Sequence, residues 1–447
     1  MKETKSVRGL AAKAAAKLHS RGKRGTTTVA QGVHGELSAR AQQLFGQSVV
    51  VDHVEIDGSD RLRAFVATFD LATAAALTNP QHARRAEWQL RHILDPHGDD
   101  LVTTTWDLER CVVRVAATTL PELIPAVPRG AAALNLHAVE QSYSSLAIPI
   151  GVGEDYREIV WPLSEAPHCV IAKQEAGIGL STMVRTVITA AADAGVCVIV
   201  ADLSEHDDFA GFVDWPNMHL VGRDYPGAAR TIGYVASILE RRRRRWHVGA
   251  EEIGDGSSEI PDSAPILLVV HGFDAPRRSV GSKFEDLQQR VDLIRNLGRE
   301  FRVHSMLTFA HGYMRPEDSA FASLLIQLGR LQTLASMQLG IESEPGDHRQ
   351  LRTRGRGIAK LNGGVTLFQG YLTPDPKWSG ISEADTEILD ALRPPTSLYP
   401  RMVIDLPPTI SDWDAVLSAP VVAAKTRPDI DPLSFHYQPR PSWKRPW

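Results

Sequence analysis

Residues 167–182 read PHCVIAKQEAGIGLST and combine three local signals in a fixed order. The apolar run 169–172 predicts a buried strand, a turn with Gly177 and Gly179 follows it, and the apolar spacing after Ser181 predicts a helix. Strand, glycine turn and helix in this order are typical of a phosphate-binding loop, where backbone N–H groups and the helix N-terminus surround an anion. A turn in which the glycines only reverse the chain would show the same signals.

The loop departs from the phosphate-binding pattern at two positions. The motif requires a glycine, four further residues and then Gly-Lys-Ser/Thr. Gln174 stands in place of the first glycine, and Leu180 stands in place of the lysine. The lysine would make charge-assisted contacts with the outer phosphates, worth about 1.5–3 kcal/mol each, and leucine makes none. Ser181 keeps the hydroxyl that holds magnesium in such loops.

Length and composition indicate a globular protein with more than one domain. The 447 residues suffice for two or three domains. The net charge of −4 gives no overall attraction to nucleic acid, so contact with DNA would have to be local. Cys111, Cys169 and Cys197 lack metal-ligand spacing, and we expect reduced core residues. No apolar run reaches the ~18–20 residues of a membrane span, and residues 1–24 lack the apolar segment of a secretory signal. We therefore expect a cytoplasmic protein.

The order of predicted elements divides the chain into four parts. Residues 1–30 form a basic tail, and residues 31–147 form a small α/β module without a chemical signature. In residues 148–372 strands alternate with helices, which predicts an α/β, doubly wound parallel sheet covered on both faces. Residues 373–447 form a Pro-rich extension with a helix at 383–392. The strands of the main domain are predicted at residues 169–172, 197–201, 266–270 and 303–309.

Polar residues follow each of these predicted strands. Asp202 follows the second strand, His271, Gly272 and Asp274 follow the third, and Ala310-His311 follows the fourth. Active sites of doubly wound sheets lie at the carboxyl ends of the strands. We therefore predict that these residues and the glycine turn lie at one edge of the sheet.

Residues from about 148 to 372 resemble the motor domain of the FtsK/SpoIIIE family. These RecA-like ATPases include translocases of chromosome segregation and conjugation and the EccC ATPases of type VII secretion. The similar segments occur in the family's order: a hairpin at 148–151 and 159–161, Pro167-His168, the strand ending at Asp202, a helix ending in arginines, Val303-His304, Arg315-Pro316, and Gly355-Arg356-Gly357 before a strand at 365–371.

The resemblance implies a RecA-like, mostly parallel sheet and a bound nucleotide. The residues that it assigns to ATP are Gln174, Gly177, Ile178, Gly179, Leu180, Ser181, Thr182 and Asp202, with Mg²⁺ at Ser181. Because Walker A is degenerate, we expect weakened ATP and Mg²⁺ binding.

The departures from the family fall on its catalytic positions. Where the family has the Asp-Glu of Walker B, this chain has His271 and Gly272, with no carboxylate until Asp274. The family's Ala-Thr-Gln sensor appears as Thr308-Phe309-Ala310. Loss of one transition-state donor commonly lowers the rate by about 10²–10³, and here several are replaced together. The resemblance therefore implies a pseudo-ATPase; an ATP-binding DNA translocase with residual activity is the alternative.

The family works as rings, so the resemblance also implies partners. We expect a homo-oligomer, or a hetero-oligomer with an intact FtsK-like ATPase, with double-stranded DNA or a secreted protein as cargo. The cationic residues assigned to DNA or partner contact are Arg241, Arg242, Arg243, Arg244, Arg245, Arg315 and Arg356. The alternative interpretation is a solvated charged face.

A different class is also compatible with part of the sequence. The apolar strand before His271-Gly272 is similar to the strand and His-Gly turn of α/β-hydrolases. That class requires a Gly-x-Ser-x-Gly elbow, which the chain lacks. A third interpretation is a scaffold or cargo-docking subunit, because a nucleotide site that does not catalyse hydrolysis suits such a role.

Overall fold

The computed structural model describes residues 27–45, 49–56, 62–94, 101–107, 110–118, 120, 123–128, 135–154, 156–204, 206–248, 259–275, 282–311, 314–331, 333–341, 351–407 and 412–438. Most of the predicted basic tail, residues 1–26, lies outside the described residues. Contacts divide the chain at Leu120 into two compact units.

The first unit contains one antiparallel sheet, with strand order β1-β2-β4-β3. Leu37 and Leu90 from two of its helices pack with Phe65 and Val113 of the sheet in one buried core. Strand β3, LVTTTWD, was not predicted: its apolar run is only two residues long, although the β-branched threonines at its centre favour a strand. The elements are α1 (Thr27–Phe45), β1 (Val49–Ile56), β2 (Leu62–Phe69), α2 (Leu71–Ala76), α3 (Pro80–Leu94), β3 (Leu101–Asp107) and β4 (Val112–Thr118).

The second unit contains a large mixed sheet, a small two-stranded sheet and the helices that connect their strands. Its elements are β5 (Ile124–Pro125), α4 (Leu136–Ser142), β6 (Ala147–Gly153), β7 (Glu158–Pro162), β8 (His168–Ala172), α5 (Leu180–Asp193), β9 (Cys197–Asp202), β10 (Met218–Gly222), α6 (Tyr225–Val248), β11 (Ile266–His271), α7 (Ser282–Leu297), β12 (Val303–Phe309), α8 (Pro316–Ala320), β13 (Leu324–Leu328), α9 (Thr333–Leu339), β14 (Arg356–Leu361), β15 (Gly364–Leu372), α10 (Glu383–Leu392), β16 (Met402–Ile404), α11 (Trp413–Leu417) and β17 (Val421–Ala423).

The large sheet has eleven strands in the order β10-β9-β11-β12-β8-β13-β14-β15-β6-β7, with β5 paired to β15. The strands from β10 to β13 in this order are parallel, and those from β14 to β7 are antiparallel. This confirms the predicted α/β, RecA-like and mostly parallel sheet, and the small α/β module before it.

Helices cover both faces of the parallel strands. The core around α5 contains Val198 and Val200 of β9, so the alternate residues Cys197 and Ile199 face the other side. Helix α6 packs on β9 and β10. Burial on both faces explains why β9 and β11 are continuous apolar runs rather than alternating ones.

All four strands that the apolar runs predict for the main domain are present, and three further strands of its sheet were not predicted. These are β10, MHLVG, β13, LLIQL, and β14, RGIAKL; polar residues interrupt the short apolar run of each. The predicted helix at 383–392 is α10, whose Leu389 and Leu392 belong to the core around α5. Residues 120–147 also belong to the second unit. The proposed domain boundaries at 147 and 372 therefore do not coincide with this division, and they stay predictions.

None of the described helices combines the length and the apolar character that crossing a bilayer requires.

Three buried histidines predict how the stability of the second unit depends on pH. His168, His219 and His304 are at most 3% exposed. Burial lowers the pKa of His168 and His304 to about 3 and that of His219 to about 4, below the ~6.5 of an unfolded chain. The unfolded state then binds more protons, so this stability is present above about pH 6.5 and is lost as the pH falls towards these folded-state values.

We expect the free energy of unfolding to fall by about 1.4 kcal/mol per pH unit for each histidine below about pH 6.5. Urea unfolding between about pH 7.5 and 5.5 measures this slope. A free energy that stays constant over that range would show that the imidazoles also become charged in the folded state.

Candidate functional site

The glycine turn after β8 adopts a conformation that glycine permits. Gly177 has φ +71°, and Gly179, the N-cap of α5, has φ +106°. Gly355 N donates a hydrogen bond of 2.7 Å to Ile178 O, and a Cβ on Gly179 would lie 3.2 Å from the same nitrogen. Gly179 has no side chain to cap α5, so the first N–H groups of this helix lack the usual side-chain cap. Such a helix start attracts an anion.

The side chains that flank the glycines differ in their exposure at this turn. Leu180 is 4% exposed and packs in the core, so its side chain supplies neither charge nor hydrogen bonds to the turn. Ile178 is also buried, and a Cβ added at Gly329 would lie 2.6 Å from its side chain. Gln174, Ser181 and Thr182 are partly exposed, and Thr182 Oγ1 accepts a hydrogen bond of 3.2 Å from Arg185.

A chain of polar contacts links Ser181 to the ends of β11 and β12. Ser181 Oγ donates to Asp208 Oδ2 at 2.7 Å, and His271 Nε2 lies 3.3 Å from the same oxygen. His271 Nδ1 lies 3.0 Å from Thr308 Oγ1, which accepts a hydrogen bond of 2.9 Å from Gly272 N. The glycine turn and His271 therefore lie at the same sheet edge, as predicted.

The partners of His271 indicate the tautomer of its ring. A carboxylate only accepts, so Nε2 donates to Asp208. Thr308 Oγ1 already accepts from a backbone N–H, so its hydroxyl proton is available to Nδ1. Phe209 packs edge-on against the ring at 5.1 Å. His271 is 3% exposed and both of its nitrogens are engaged, which leaves neither nitrogen free to activate a water molecule.

The sequence did not lead us to Asp208: at the end of β9 and in the loop after it, we had assigned only Asp202 to the site. Burial raises the pKa of Asp208, but hydrogen bonds from His271 and Ser181 outweigh it, and the net pKa is about 2. Asp208 is therefore ionised at neutral pH. The available signal was the acidic pair Asp207-Asp208 in the loop after β9, a loop that begins at the carboxyl edge of the sheet.

Asp202 lies beside this chain of contacts. It pairs directly with His271 in the register of β9 and β11 and is 1% exposed. Its Oδ1 accepts a hydrogen bond of 2.9 Å from Ser204 N, whereas Oδ2 has no hydrogen-bond partner among the described residues. Burial raises the pKa of Asp202, and the nearby His271 opposes that shift.

Asp274 has a structural role at this edge. Its two carboxylate oxygens accept hydrogen bonds of 2.8 and 2.7 Å from Ala310 N and His311 N. These bonds connect the turn after β11 to the turn after β12. Asp274 therefore does not present free carboxylate oxygens to the glycine turn.

The order in which Ser181, Asp208 and His271 contact one another excludes the hydrolase interpretation for this site. In a serine hydrolase the histidine lies between the serine and the acid, and it accepts the serine proton. Here Asp208 lies between Ser181 and His271, and Ser181 donates to the carboxylate. Within the described part of the chain, His271 contacts Asp208 and Thr308 instead of Ser181.

Two of the arginines assigned to DNA or partner contact are buried, so that prediction is wrong for them. Arg242 is 3% exposed and donates to the backbone carbonyls of Phe301, Pro261 and Ala264. Arg356 is 2% exposed and donates to Gln369 Oε1 and to a backbone carbonyl. Both guanidinium groups hold the fold together and cannot reach a partner.

The remaining arginines differ in their availability. Arg243 and Arg244 are exposed and contact the Glu240 side chain and carbonyl, respectively. Arg245 pairs with Asp262 at 2.9 Å, and Arg241 is partly exposed. The guanidinium of Arg315 forms ion pairs with two carboxylates: its Nη2 lies 3.1 Å from Asp292 Oδ1 and 2.8 Å from Asp318 Oδ1.

No family model matches the chain, and no curated protein is significantly similar to it in sequence. Solved structures with a similar fold include the pCW3 conjugation coupling protein TcpA, in its monomer form with ATPγS. It is 15% identical, with a TM-score of 0.43, over 80% of this chain and 99% of that one. The cytoplasmic domain of the type VII secretion ATPase EccC of Thermomonospora curvata is 17% identical, with a TM-score of 0.44, over 60% of this chain and 35% of that one.

EssC ATPases 2 and 3 of Geobacillus thermodenitrificans are 16% identical, with a TM-score of 0.42, over 69% of this chain and 63% of that one. The fold class rests on the strand order of the sheet itself.

The backbone geometry of the turn leads to a prediction for Gly179→Ala. The positive φ alone should lower the free energy of unfolding by about 1–2 kcal/mol. The contact of the new Cβ with Gly355 N at 3.2 Å should increase that loss. Gly177→Ala is the matched control, because its φ is also positive but nothing lies within 4 Å of the added carbon. Equal losses in urea unfolding would contradict the close approach of Gly355.

Proposed function

We propose that the second unit binds ATP at the glycine turn and hydrolyses it at a negligible rate. The observation that carries this proposal is the start of α5, where a glycine N-cap leaves N–H groups uncapped beside Ser181 at the carboxyl edge of the sheet. Phosphate is the ligand that such a helix start favours. The chain is then a pseudo-ATPase subunit of a DNA-translocation, conjugation or type VII secretion motor.

Two features support weak binding without turnover. Leu180 is buried, so binding lacks the contacts of a lysine with the outer phosphates, and we expect an affinity about 10–100-fold below that of an intact loop. His271 replaces a carboxylate at the end of β11, and both of its ring nitrogens are engaged. No carboxylate of β11 is then available to orient an attacking water.

Calorimetry with ATP and a parallel phosphate-release assay test this proposal. We expect saturable binding and no phosphate release above background. Ser181→Ala should weaken binding, because it removes a hydroxyl beside the phosphates, whereas Ser237→Ala, on the exposed face of α6, should leave binding unchanged. Turnover near one per second that disappears in Ser181→Ala would overturn the pseudo-ATPase proposal. Turnover that rises with double-stranded DNA would favour the translocase with residual activity.

The proposed motor role includes association with a second copy or with an intact FtsK-like ATPase. Arg243 and Arg244 are exposed at the end of α6 and are the arginines of the run best placed to contact another protein or DNA. Among the described residues each contacts Glu240 of the same helix, and exposed contacts of this kind contribute about 0–1 kcal/mol. Both side chains can therefore exchange that contact for a partner at little cost.

We expect the mass from light scattering to exceed that of a monomer at low salt and to fall at high salt, because ions screen exposed charges. The double variant Arg243→Ala/Arg244→Ala should lower the low-salt mass. Arg110→Ala, an exposed arginine of the first unit, is the control. A monomer at both salt concentrations, with no partner in pull-downs of neighbouring gene products, would contradict this association.

A further inference from the structure

We propose that Asp208 and Asp202 take over the cation-binding role of the carboxylates missing from the end of β11, and that with Ser181 they hold a divalent cation, Mg²⁺, when phosphates occupy the glycine turn. This inference rests on the proposed function, since it requires a phosphate ligand. It assigns a role to Asp208, a loop residue outside the phosphate-binding motif.

The first observation is the separation of two oxygen atoms. Ser181 Oγ and Asp208 Oδ2 are 2.7 Å apart. Mg²⁺ binds oxygen at about 2.0–2.1 Å in octahedral geometry, so neighbouring ligands on one ion lie about 2.9 Å apart. Both atoms can therefore bind one ion with a shift of a few tenths of an ångström.

The second observation is the unsatisfied oxygen of Asp202. Asp202 Oδ2 is buried and has no hydrogen-bond partner in the described ranges, although a polar atom in that state costs about 1–3 kcal/mol. Asp202 pairs with His271 across the strands, and Asp208 contacts the ring of the same histidine. Both carboxylates therefore lie beside the same histidine, and a water molecule bound to the cation would give Asp202 Oδ2 its missing partner.

The third observation explains why the cation requires a phosphate. Within the described residues, no three His, Cys, Asp or Glu side chains are grouped closely enough to hold a metal ion. Mg²⁺ usually keeps several waters and is held by one or two carboxylates together with substrate phosphates. Ser181 and Asp208 adjoin the start of α5, where those phosphates would lie. The protein alone supplies too few ligands, and the nucleotide completes the set.

Cation binding at this position is compatible with a pseudo-ATPase. The cation would join the phosphates to Ser181 and Asp208 and increase the affinity for nucleotide. It replaces neither the lysine that Leu180 displaces nor the group that orients an attacking water. The cation therefore makes ATP binding tighter without restoring turnover.

The test uses the full chain, ATPγS and Mn²⁺, with Mn²⁺ followed by electron paramagnetic resonance and ATPγS by calorimetry. We expect Mn²⁺ to bind in the presence of ATPγS and to remain free in its absence. We expect ATPγS to bind about 10–100-fold more weakly in EDTA than with Mn²⁺. In Asp208→Asn, which keeps the size of the side chain, the affinities in Mn²⁺ and EDTA should converge on the wild-type EDTA value. Asp202→Asn should show a smaller loss.

Asp207→Asn is the matched control, because this neighbouring carboxylate pairs with Arg223 and is not one of the proposed cation ligands. Its cation dependence should equal that of the wild type. Ser181→Ala is a second variant that removes a ligand if Asp208→Asn does not fold. ATPγS binding that is equally tight in Mn²⁺ and EDTA would overturn this inference and leave the proposed function intact. No ATPγS binding under either condition would overturn both.

Discussion

Parallel hydrogen bonding between β8, β9, β11 and β12 determines the rest of the second unit. Because these strands run in one direction, the glycine turn, Asp202, His271 and Thr308 all lie at one edge of the sheet. The loops after the strands then need only a few residues to bring polar groups into contact. The Ser181–Asp208 hydrogen bond forms in this way between the start of α5 and the loop after β9.

Most of the polar groups at this edge of the sheet are satisfied by one another or by backbone groups. The ring of His271 is held between Asp208 and Thr308. Asp274 is held by two backbone N–H groups, so it stabilises turns rather than a ligand. The exception is Asp202 Oδ2, which lacks a partner within the described structure. A buried carboxylate oxygen without a partner requires an explanation, and at this edge a bound ligand would supply one.

The arginines show that charge alone does not indicate a surface. Arg241 to Arg245 are consecutive, and a helix turns about 100° per residue, so five consecutive positions cover every direction around the axis. Arg242 therefore points into the protein, where three backbone carbonyls accept its hydrogen bonds. Burial of this kind stabilises loop backbone that would otherwise lack partners. The exposed cationic surface of this run is therefore smaller than five consecutive arginines suggest.

The sequence by itself determined the α/β class, the main strands and the glycine turn, because these depend on local apolar runs and on backbone conformations that glycine permits. It also identified Leu180, His271 and Gly272 as departures from a motif. Only the tertiary structure decided that Asp208 reaches Ser181 and His271, that Asp274 caps backbone groups, and that Arg242 and Arg356 are buried. Contacts between residues far apart in the chain depend on strand register and loop path, and no local pattern of residues encodes either.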